Sequence, residues 1–345
     1  MNAARRGRCL AVLSGTAAIL GGCAAEPPPP PVRAAVPGRL AADDSELVGL
    51  IPTGTETLFE LDMAALRGSP WARPILDASS PEERARKLAA RGFDELEDVD
   101  RAAFGGVARP GVEAATLAAV QGRFDQARAI AAFRATAPGA TTVSWRGVSL
   151  WQDGDRAIGF LTPRTFLSGP PAAVRAAIDC AFGVVPDVRA DAELGQLRRA
   201  LDGTGSRATL RFAAIVTDEL RAQIRQQLDA PESLRRIGAR LDLGSALDLD
   251  VVGILDTPRD AAALAGVLAS MIRDLRARPE LQAFGLAGFL DTARLAAQGS
   301  RVVGGLHLSA ERLPDLTEKL AAVAQIIGGA ASPRPRAAPS TGGAP

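Results

Sequence analysis

Few side chains in this 345-residue sequence have the chemistry of a catalytic or metal-binding group. There is one histidine, His307, and of the three cysteines only Cys180 lies beyond the first 23 residues. A zinc site needs three or four such ligands, and a Ser-His-Asp hydrolase would need this one histidine and a Gly-x-Ser-x-Gly turn that the sequence lacks. We therefore predict no catalytic residue, no metal ligand and no cofactor. His307 is expected on a sheet face, and Cys180 is expected to be a buried apolar residue.

A glycine-rich segment, GTGSRA at residues 203–208, matches the string Gly-x-Gly-x-x-Ala. A dinucleotide-binding loop follows a strand and opens a helix, whereas this segment follows a predicted helix and opens a predicted strand. The sequence also contains no Gly-x-x-x-x-Gly-Lys-Ser/Thr phosphate loop. We interpret residues 203–208 as part of a turn between two modules.

Two groups of carboxylates are the remaining candidates for chemistry. Five carboxylates lie within residues 94–100, flanked by arginines and without the spacing of a calcium loop, which favours a solvated acidic turn. Asp242, Asp248 and Asp250 form the second group, and apolar residues alternate with them. An extended strand would place these carboxylates on one sheet face and the apolar side chains on the other. The alternative is a carboxylate pair that hydrolyses a glycosidic bond.

The composition is that of a globular protein, with 47% hydrophobic residues, 23% charged residues and a net charge of +1 at pH 7. Three arginines, Arg5, Arg6 and Arg8, lie in the first 22 residues. Without them, 37 basic residues face 39 acidic ones, which leaves a net charge of about −2. This balance gives no general attraction for nucleic acid, and we expect no nucleic-acid partner.

Residues 1–22 have the layout of a secretory signal peptide. The arginines come first, then an apolar run from Leu10 to Leu20 that is too short to span a bilayer, then two glycines. The residues LGGC at 20–23 resemble the lipobox of bacterial lipoproteins. The resemblance implies that Cys23 becomes the mature first residue and carries lipid such as palmitate, so that the membrane is a partner through the anchor. The alternative is an ordinary secretion signal.

Residues 23–44 form a proline-rich linker, in which Pro27–Pro31 is typical of a stiff, extended spacer. The residue after Cys23 is Ala24. In the lipoproteins that the leader resembles, an aspartate at that position commonly retains the protein at the inner membrane. We therefore expect a lipid-anchored protein of the bacterial cell envelope and periplasm, at the outer membrane rather than the inner one.

Beyond the linker, the sequence predicts an α+β fold made of two similar modules, residues 45–202 and 207–327. In each module the predicted order of elements is strand, helix, antiparallel strands and helix, which indicates an internal duplication. The alternative is that the two orders agree by chance. We expect antiparallel β-sheets, each covered by helices on one face, that join or pack side by side. Residues 328–345 lack apolar periodicity and are predicted to be disordered.

Several elements carry clear local signals. Ser80 and Thr257 each precede a proline and have an acidic residue three positions later, which predicts helix starts. Asp153-Gly154 predicts a two-residue hairpin turn. Apolar spacing predicts an amphipathic helix within residues 217–241, broken or kinked at Ala230-Pro231. The tryptophans are expected to pack inward or on a sheet face; they are Trp71, Trp145 and Trp151.

Residues 145–179 contain an aromatic-x-Gly-Val strand, a hairpin, a second short strand and an alanine-rich helix. This segment resembles a pattern in bacterial envelope proteins of unknown function, and the resemblance implies no activity. Our leading interpretation is a non-catalytic, membrane-anchored module that binds an envelope protein or a small apolar ligand, or has a structural role. The alternatives are a carboxylate-dependent envelope hydrolase and a carrier of a lipid or other apolar ligand, which would need a continuous apolar cavity.

Overall fold

The computed structural model describes residues 46–319, except 74–75, 77–79, 107–115, 202–207, 227, 229 and 317. The predicted signal peptide, Cys23, the proline-rich linker and the predicted tail lie outside these residues. The turn predicted between the modules also lies outside them, apart from its last residue. These predictions are therefore not tested by the structure.

Twelve strands of the described residues form one antiparallel sheet, which confirms the α+β prediction. In chain order the strands are β1 (Thr57–Asp62), β2 (Val99–Gly106), β3 (Leu117–Gly122), β4 (Thr141–Trp145), β5 (Val148–Asp153), β6 (Arg156–Thr162), β7 (Thr165–Gly169), β8 (Leu210–Ile215), β9 (Leu234–Leu243), β10 (Ala246–Leu255), β11 (Arg294–Gln298) and β12 (Arg301–Ser309). Their order in the sheet is β11-β12-β10-β9-β8-β1-β2-β3-β7-β6-β5-β4.

The helices lie between these strands in the sequence. The α-helices are α1 (Met63–Gly68), α2 (Pro81–Arg91), α3 (Gln126–Thr136), α4 (Pro171–Ala181), α5 (Leu194–Leu201), α6 (Asp218–Arg225), α7 (Pro258–Arg276) and α8 (Pro279–Ala283). Short 3₁₀-helices are found at Leu47–Leu50, Val188–Ala190, Ala287–Thr292 and Ala310–Arg312.

The two halves of the sheet have the same strand order outward from a central seam. The first half runs β1-β2-β3-β7-β6 before adding β5 and β4, and the second half runs β8-β9-β10-β12-β11. The halves join where β1 pairs antiparallel with β8, from Thr57 opposite Ala214 to Leu61 opposite Leu210. The modules therefore share one continuous sheet, while their common origin by duplication stays a prediction.

Helices cover both faces of the sheet in each half, so the expectation that helices cover only one face is wrong. In the first half, α4, α5 and the 3₁₀-helix Leu47–Leu50 pack on one face around Leu58, Leu117 and Leu167. On the opposite face, α3 packs around Phe160 and Phe166. In the second half, α7 packs against β10, β11 and β12 on one face, and α5 packs against β8 and β9 on the other, where Leu197 and Leu201 lie beside Gly238. Two helix layers are needed because apolar side chains leave the strands in both directions.

Local signals explain several element ends. The Ser80 hydroxyl accepts a hydrogen bond from the backbone N–H of Glu83 at 3.1 Å, and that of Thr257 accepts one from Asp260 at 3.1 Å. Both are the predicted N-caps, which satisfy backbone donors that the first helical turn leaves free. The predicted hairpin joins β5 to β6, but its turn lies one residue later than expected: Asp153 pairs with Arg156, so the two turn residues are Gly154, at a φ of 57°, and Asp155.

The predicted helix within residues 217–241 is wrong in its second part. Helix α6 ends at Arg225, and after Pro231 the chain forms β9, which contains Ile237. Proline removes a backbone donor and ends the helix. The residues that follow are extended because β9 pairs with β8 on one side and with β10 on the other.

The acidic segment at residues 94–100 is only partly the turn that the sequence predicts. Strand β2 begins at Val99, so Asp100 belongs to a strand that pairs with β1 and β3. The charged residues at the start of β2 hide its strand character in the sequence. The apolar alternation that would reveal it begins only at Ala102.

Candidate functional site

An apolar strip crosses the sheet at its seam. The register of six neighbouring strands places ten apolar side chains on one face in two adjacent rows. The first row consists of Phe104, Phe59, Phe212, Ala239 and Val251. The second row consists of Leu61, Leu210, Leu241, Leu249 and Leu306. Directly opposed residues of an antiparallel pair point to the same face, so these ten side chains form one surface.

The strip is partly open to solvent. None of its ten residues is fully buried, and Val251 is 37% exposed. By contrast, Leu58 and Leu167, which lie on the other face of the same sheet, are at most 1% exposed. The rings of Phe59 and Phe104 lie 5.9 Å apart at 54°, so the first row begins with a packed aromatic pair.

Described elements bound the strip on its sides and at both ends. Helix α1 contacts β2 on one side, and α7 contacts β10 and β12 on the other. At one end of the strands, Trp71 packs in a cluster with Phe289 and Leu308. At the other end, α6 contributes Leu220 and Ile224 to a second cluster. Packed elements therefore border the strip on each of its sides.

The opposite face of the same strands is charged. Glu60, Arg211, Arg240 and Asp250 lie behind the strip, one on each of β1, β8, β9 and β10. Arg198 of α5 donates from Nε to Glu60 Oε1 at 2.8 Å, and Arg211 Nη1 donates to Glu60 Oε2 at 3.2 Å. Arg198 is 8% exposed and Arg240 is 6% exposed. These buried charges are paired with one another, which is the condition for burying them at all.

The sequence shows the strip only as a repeated triplet. Phe59-Glu60-Leu61, Leu210-Arg211-Phe212, Ala239-Arg240-Leu241 and Leu249-Asp250-Val251 each place one charged residue between two apolar ones. Alternation of this kind predicts a strand with one apolar face. It does not predict that the four triplets lie side by side, because the register between distant strands is a tertiary property.

The predicted acidic face is present, and it lies on the charged side of the sheet. Asp242 and Asp248 are directly opposed on β9 and β10, and His307 Nδ1 lies 2.5 Å from Asp248 Oδ1. Arg240 lies 3.7 Å from Asp242 and 3.8 Å from Asp250. His307 is exposed on a sheet face, as predicted. Asp248 contacts the ring of His307, and Asp242 and Asp250 lie near Arg240, so this arrangement agrees with carboxylates on one polar sheet face.

The second acidic group also pairs with arginines. Arg84 Nε donates to Asp94 Oδ2 at 3.0 Å, and Arg67 Nη2 donates to Asp100 Oδ1 at 2.8 Å. Arg164 Nη2 also donates to Asp100, at 3.0 Å. These pairs join the turn before β2 to α2, and the start of β2 to α1 and the β6–β7 turn. The group therefore holds local structure together.

The cysteine and tryptophan predictions have clear outcomes. Cys180 is 8% exposed, and burial raises the pKa of its thiol to about 11, with smaller contributions from Asp187 and Asp179. Such a thiol is not a nucleophile at neutral pH. Trp71 is buried, 7% exposed, as predicted. Trp145 is half-buried and donates its indole N–H to Asp179 Oδ1 at 3.0 Å.

A polar cleft of about 580 Å³ lies beside α6. Its charged groups pair within the cleft: Arg225 with Glu232 at 2.8 Å, Arg235 with Asp256, and Arg221 with Asp218. The hydrogen bond and charge of Arg235 lower the pKa of Asp256. The carboxylates of the second predicted group, on β9 and β10, do not line this cleft. Because the three arginines and three carboxylates of the cleft balance one another, the cleft has no net charge that would attract a charged ligand.

Within residues 46–319 and outside the gaps given above, no group of three or more histidine, cysteine, aspartate or glutamate side chains is arranged to hold a metal ion. In the same part of the chain, no helix has the length and apolar character that crossing a bilayer requires.

No family model and no curated protein matches this sequence. Among solved structures the chain is similar to TP0453, an envelope protein of Treponema. Crystal form III of TP0453 has a TM-score of 0.46 and 11% identity, over 79% of this chain and 97% of that one. Crystal form I has a TM-score of 0.45 and 10% identity, over 80% and 98% of the two chains. TM-scores of this size do not establish a shared fold, so the function must be inferred from the chain's own residues.

Proposed function

We propose that this protein is a lipid-anchored envelope protein whose folded body binds an apolar ligand on the strip at the seam of the sheet, without catalysis. The anchor is the acylated thiol of Cys23. The proline-rich residues 23–44 hold the body away from the bilayer, and the outer membrane is the expected location. The partners are therefore the membrane, through the anchor, and a ligand bound by the body.

The apolar strip is the single observation that carries this proposal. Burial of apolar surface contributes about 25 cal/mol for each Å² removed from water, and ten adjacent side chains offer such surface without any polar group to desolvate. The walls formed by α1 and α7 favour a small ligand over the flat surface of a folded protein. This supports the binding interpretation, with a small apolar ligand as the partner.

The binding test uses the polypeptide 24–345, which retains every described residue and has no acyl chain of its own. The probe is N-phenyl-1-naphthylamine, an uncharged dye that fluoresces in apolar sites. We expect saturable binding that Val251→Asp weakens at least tenfold. Val184→Asp is the matched control, because Val184 is an exposed valine, 53% exposed, that lies off the strip. Equal binding by the two variants, or no saturable binding by the parent chain, would refute a site on the strip.

The anchor is tested in the native host by Cys23→Ser. We expect the parent protein to sediment with membranes and to incorporate labelled palmitate. The variant should lose both properties and retain its signal peptide, since lipoprotein maturation depends on the acylated thiol. Unchanged sedimentation and unchanged gel mobility of the variant would contradict an anchor at this residue. Separation of the two membranes on a density gradient tests the outer-membrane location.

The alternative of a carboxylate-dependent hydrolase has less support. Asp248 and Asp250 lie on an exposed sheet face, with His307 and Arg240 as their partners. A glycosidase needs two carboxylates on either side of a bound sugar, in a cleft that holds it. Hydrolysis by the purified protein that disappears in Asp248→Asn would nevertheless favour this function over the binding module.

A further inference from the structure

The width of the strip limits the shape of its ligand. Its two rows lie two residues apart along each strand, as Phe59 and Leu61 do on β1. Two residues of an extended strand span about 7 Å. The clusters around Trp71 and around Leu220 occupy the sheet face beyond the rows. A ligand that lies on the strip must therefore be narrow in the direction of the strands.

The length of the strip runs across the strands. The rows extend over β2, β1, β8, β9, β10 and β12, which are consecutive in the sheet. Neighbouring strands lie about 4.8 Å apart, so these six strands span about 24 Å. The site is thus more than three times as long as it is wide. A fused ring system or a globular partner does not match this shape.

The chemistry of the strip limits the ligand further. The ten side chains are phenylalanine, leucine, valine and alanine, and none carries a polar atom. The backbone donors and acceptors beneath them are engaged in the ladders of the sheet. A ligand with hydroxyl or amide groups along its length would lose their hydration without gaining hydrogen bonds. The complementary ligand is hydrocarbon along its whole bound length.

We infer that the strip binds a single linear acyl chain, extended across the strands from β2 towards β12. This inference rests on the proposed function and specifies its ligand. The chain contacts the aromatic pair of Phe59 and Phe104 at one end and Leu249, Val251 and Leu306 at the other.

The test is a series of straight-chain fatty acids with 8 to 18 carbons, each used below its aggregation concentration to displace the dye from polypeptide 24–345. We expect affinity to rise about fourfold for each added methylene, which corresponds to about 0.8 kcal/mol. The rise should end when the chain fills the strip. Val251→Asp should weaken the longer acids at least tenfold, while Val184→Asp should leave the series unchanged.

The outcomes separate the two proposals. Saturable dye binding with fatty-acid affinities that do not depend on chain length would overturn the acyl-chain inference and leave the apolar site in place. Equal competition by a rigid polycyclic hydrocarbon of the same carbon number would overturn it as well. Absence of dye binding to the parent chain would remove the proposed function and the inference together.

Discussion

Glu60 is the residue whose replacement tests the charged side of the seam most directly. It lies on β1 and accepts hydrogen bonds from Arg198 at 2.8 and 3.1 Å and from Arg211 at 3.2 Å. The three side chains are 18%, 9% and 12% exposed, in that order. Glu60→Gln removes the negative charge and keeps the size of the side chain. Two largely buried guanidinium groups then lose their shared carboxylate.

The expected cost follows from this geometry. Removal of one member of a buried ion pair costs about 3–5 kcal/mol, because the other charge stays buried without compensation. Here Glu46 lies 3.3 Å from Arg198, and the glutamine oxygen still accepts one hydrogen bond. We therefore expect Glu60→Gln to lower the free energy of unfolding by about 2–3 kcal/mol, at or just below the lower limit of that range.

Urea denaturation followed by circular dichroism measures this change, provided that the slope of the transition is the same in both proteins. The matched control is Glu232→Gln, since Glu232 is 80% exposed and pairs with Arg225 at 2.8 Å. An exposed pair contributes about 0–1 kcal/mol, so the control should unfold almost as the parent does. A loss in Glu60→Gln no larger than in the control would refute the argument that buried pairing stabilises the seam.

Two further predictions concern single side chains. With Cys9 and Cys23 replaced by serine, Cys180 should react with Ellman's reagent at pH 8 only after the protein is unfolded. Burial raises the pKa of its thiol to about 11, so only about a thousandth of the thiol is thiolate at this pH. Rapid reaction of the native protein would contradict this. Thr257→Ala should lower the free energy of unfolding by about 1 kcal/mol in the same urea assay through loss of the N-cap of α7, whereas Thr257→Ser should retain it.

The sequence predicts best those features that depend on neighbouring residues. Ser80 and Thr257 cap helices because a hydroxyl at that position reaches the first free backbone donors. Gly154 and Asp155 turn the chain because glycine adopts the positive φ that a two-residue turn requires. Such local chemistry needs no knowledge of the rest of the fold.

The features that the sequence does not predict depend on distant residues. Ile237 fits a helical pattern, yet it lies in β9 because strands on both sides pair with it. Glu60 and Arg211 become partners only when β1 pairs with β8. The apolar strip depends on the same pairing, since residues from six strands must be aligned in register. Neither the continuous sheet nor its open centre could therefore be derived from local periodicity.

The pairing of β1 with β8 has a consequence for synthesis. Thr57 of β1 pairs with Ala214 of β8, so β1 is synthesised long before the strand that pairs with its edge. A ribosome delivers the amino-terminal half first, and that half then carries an unpaired edge at the future middle of the molecule. The growing chain must be kept from pairing this edge with another molecule, which makes the interval before β8 emerges the stage most exposed to aggregation.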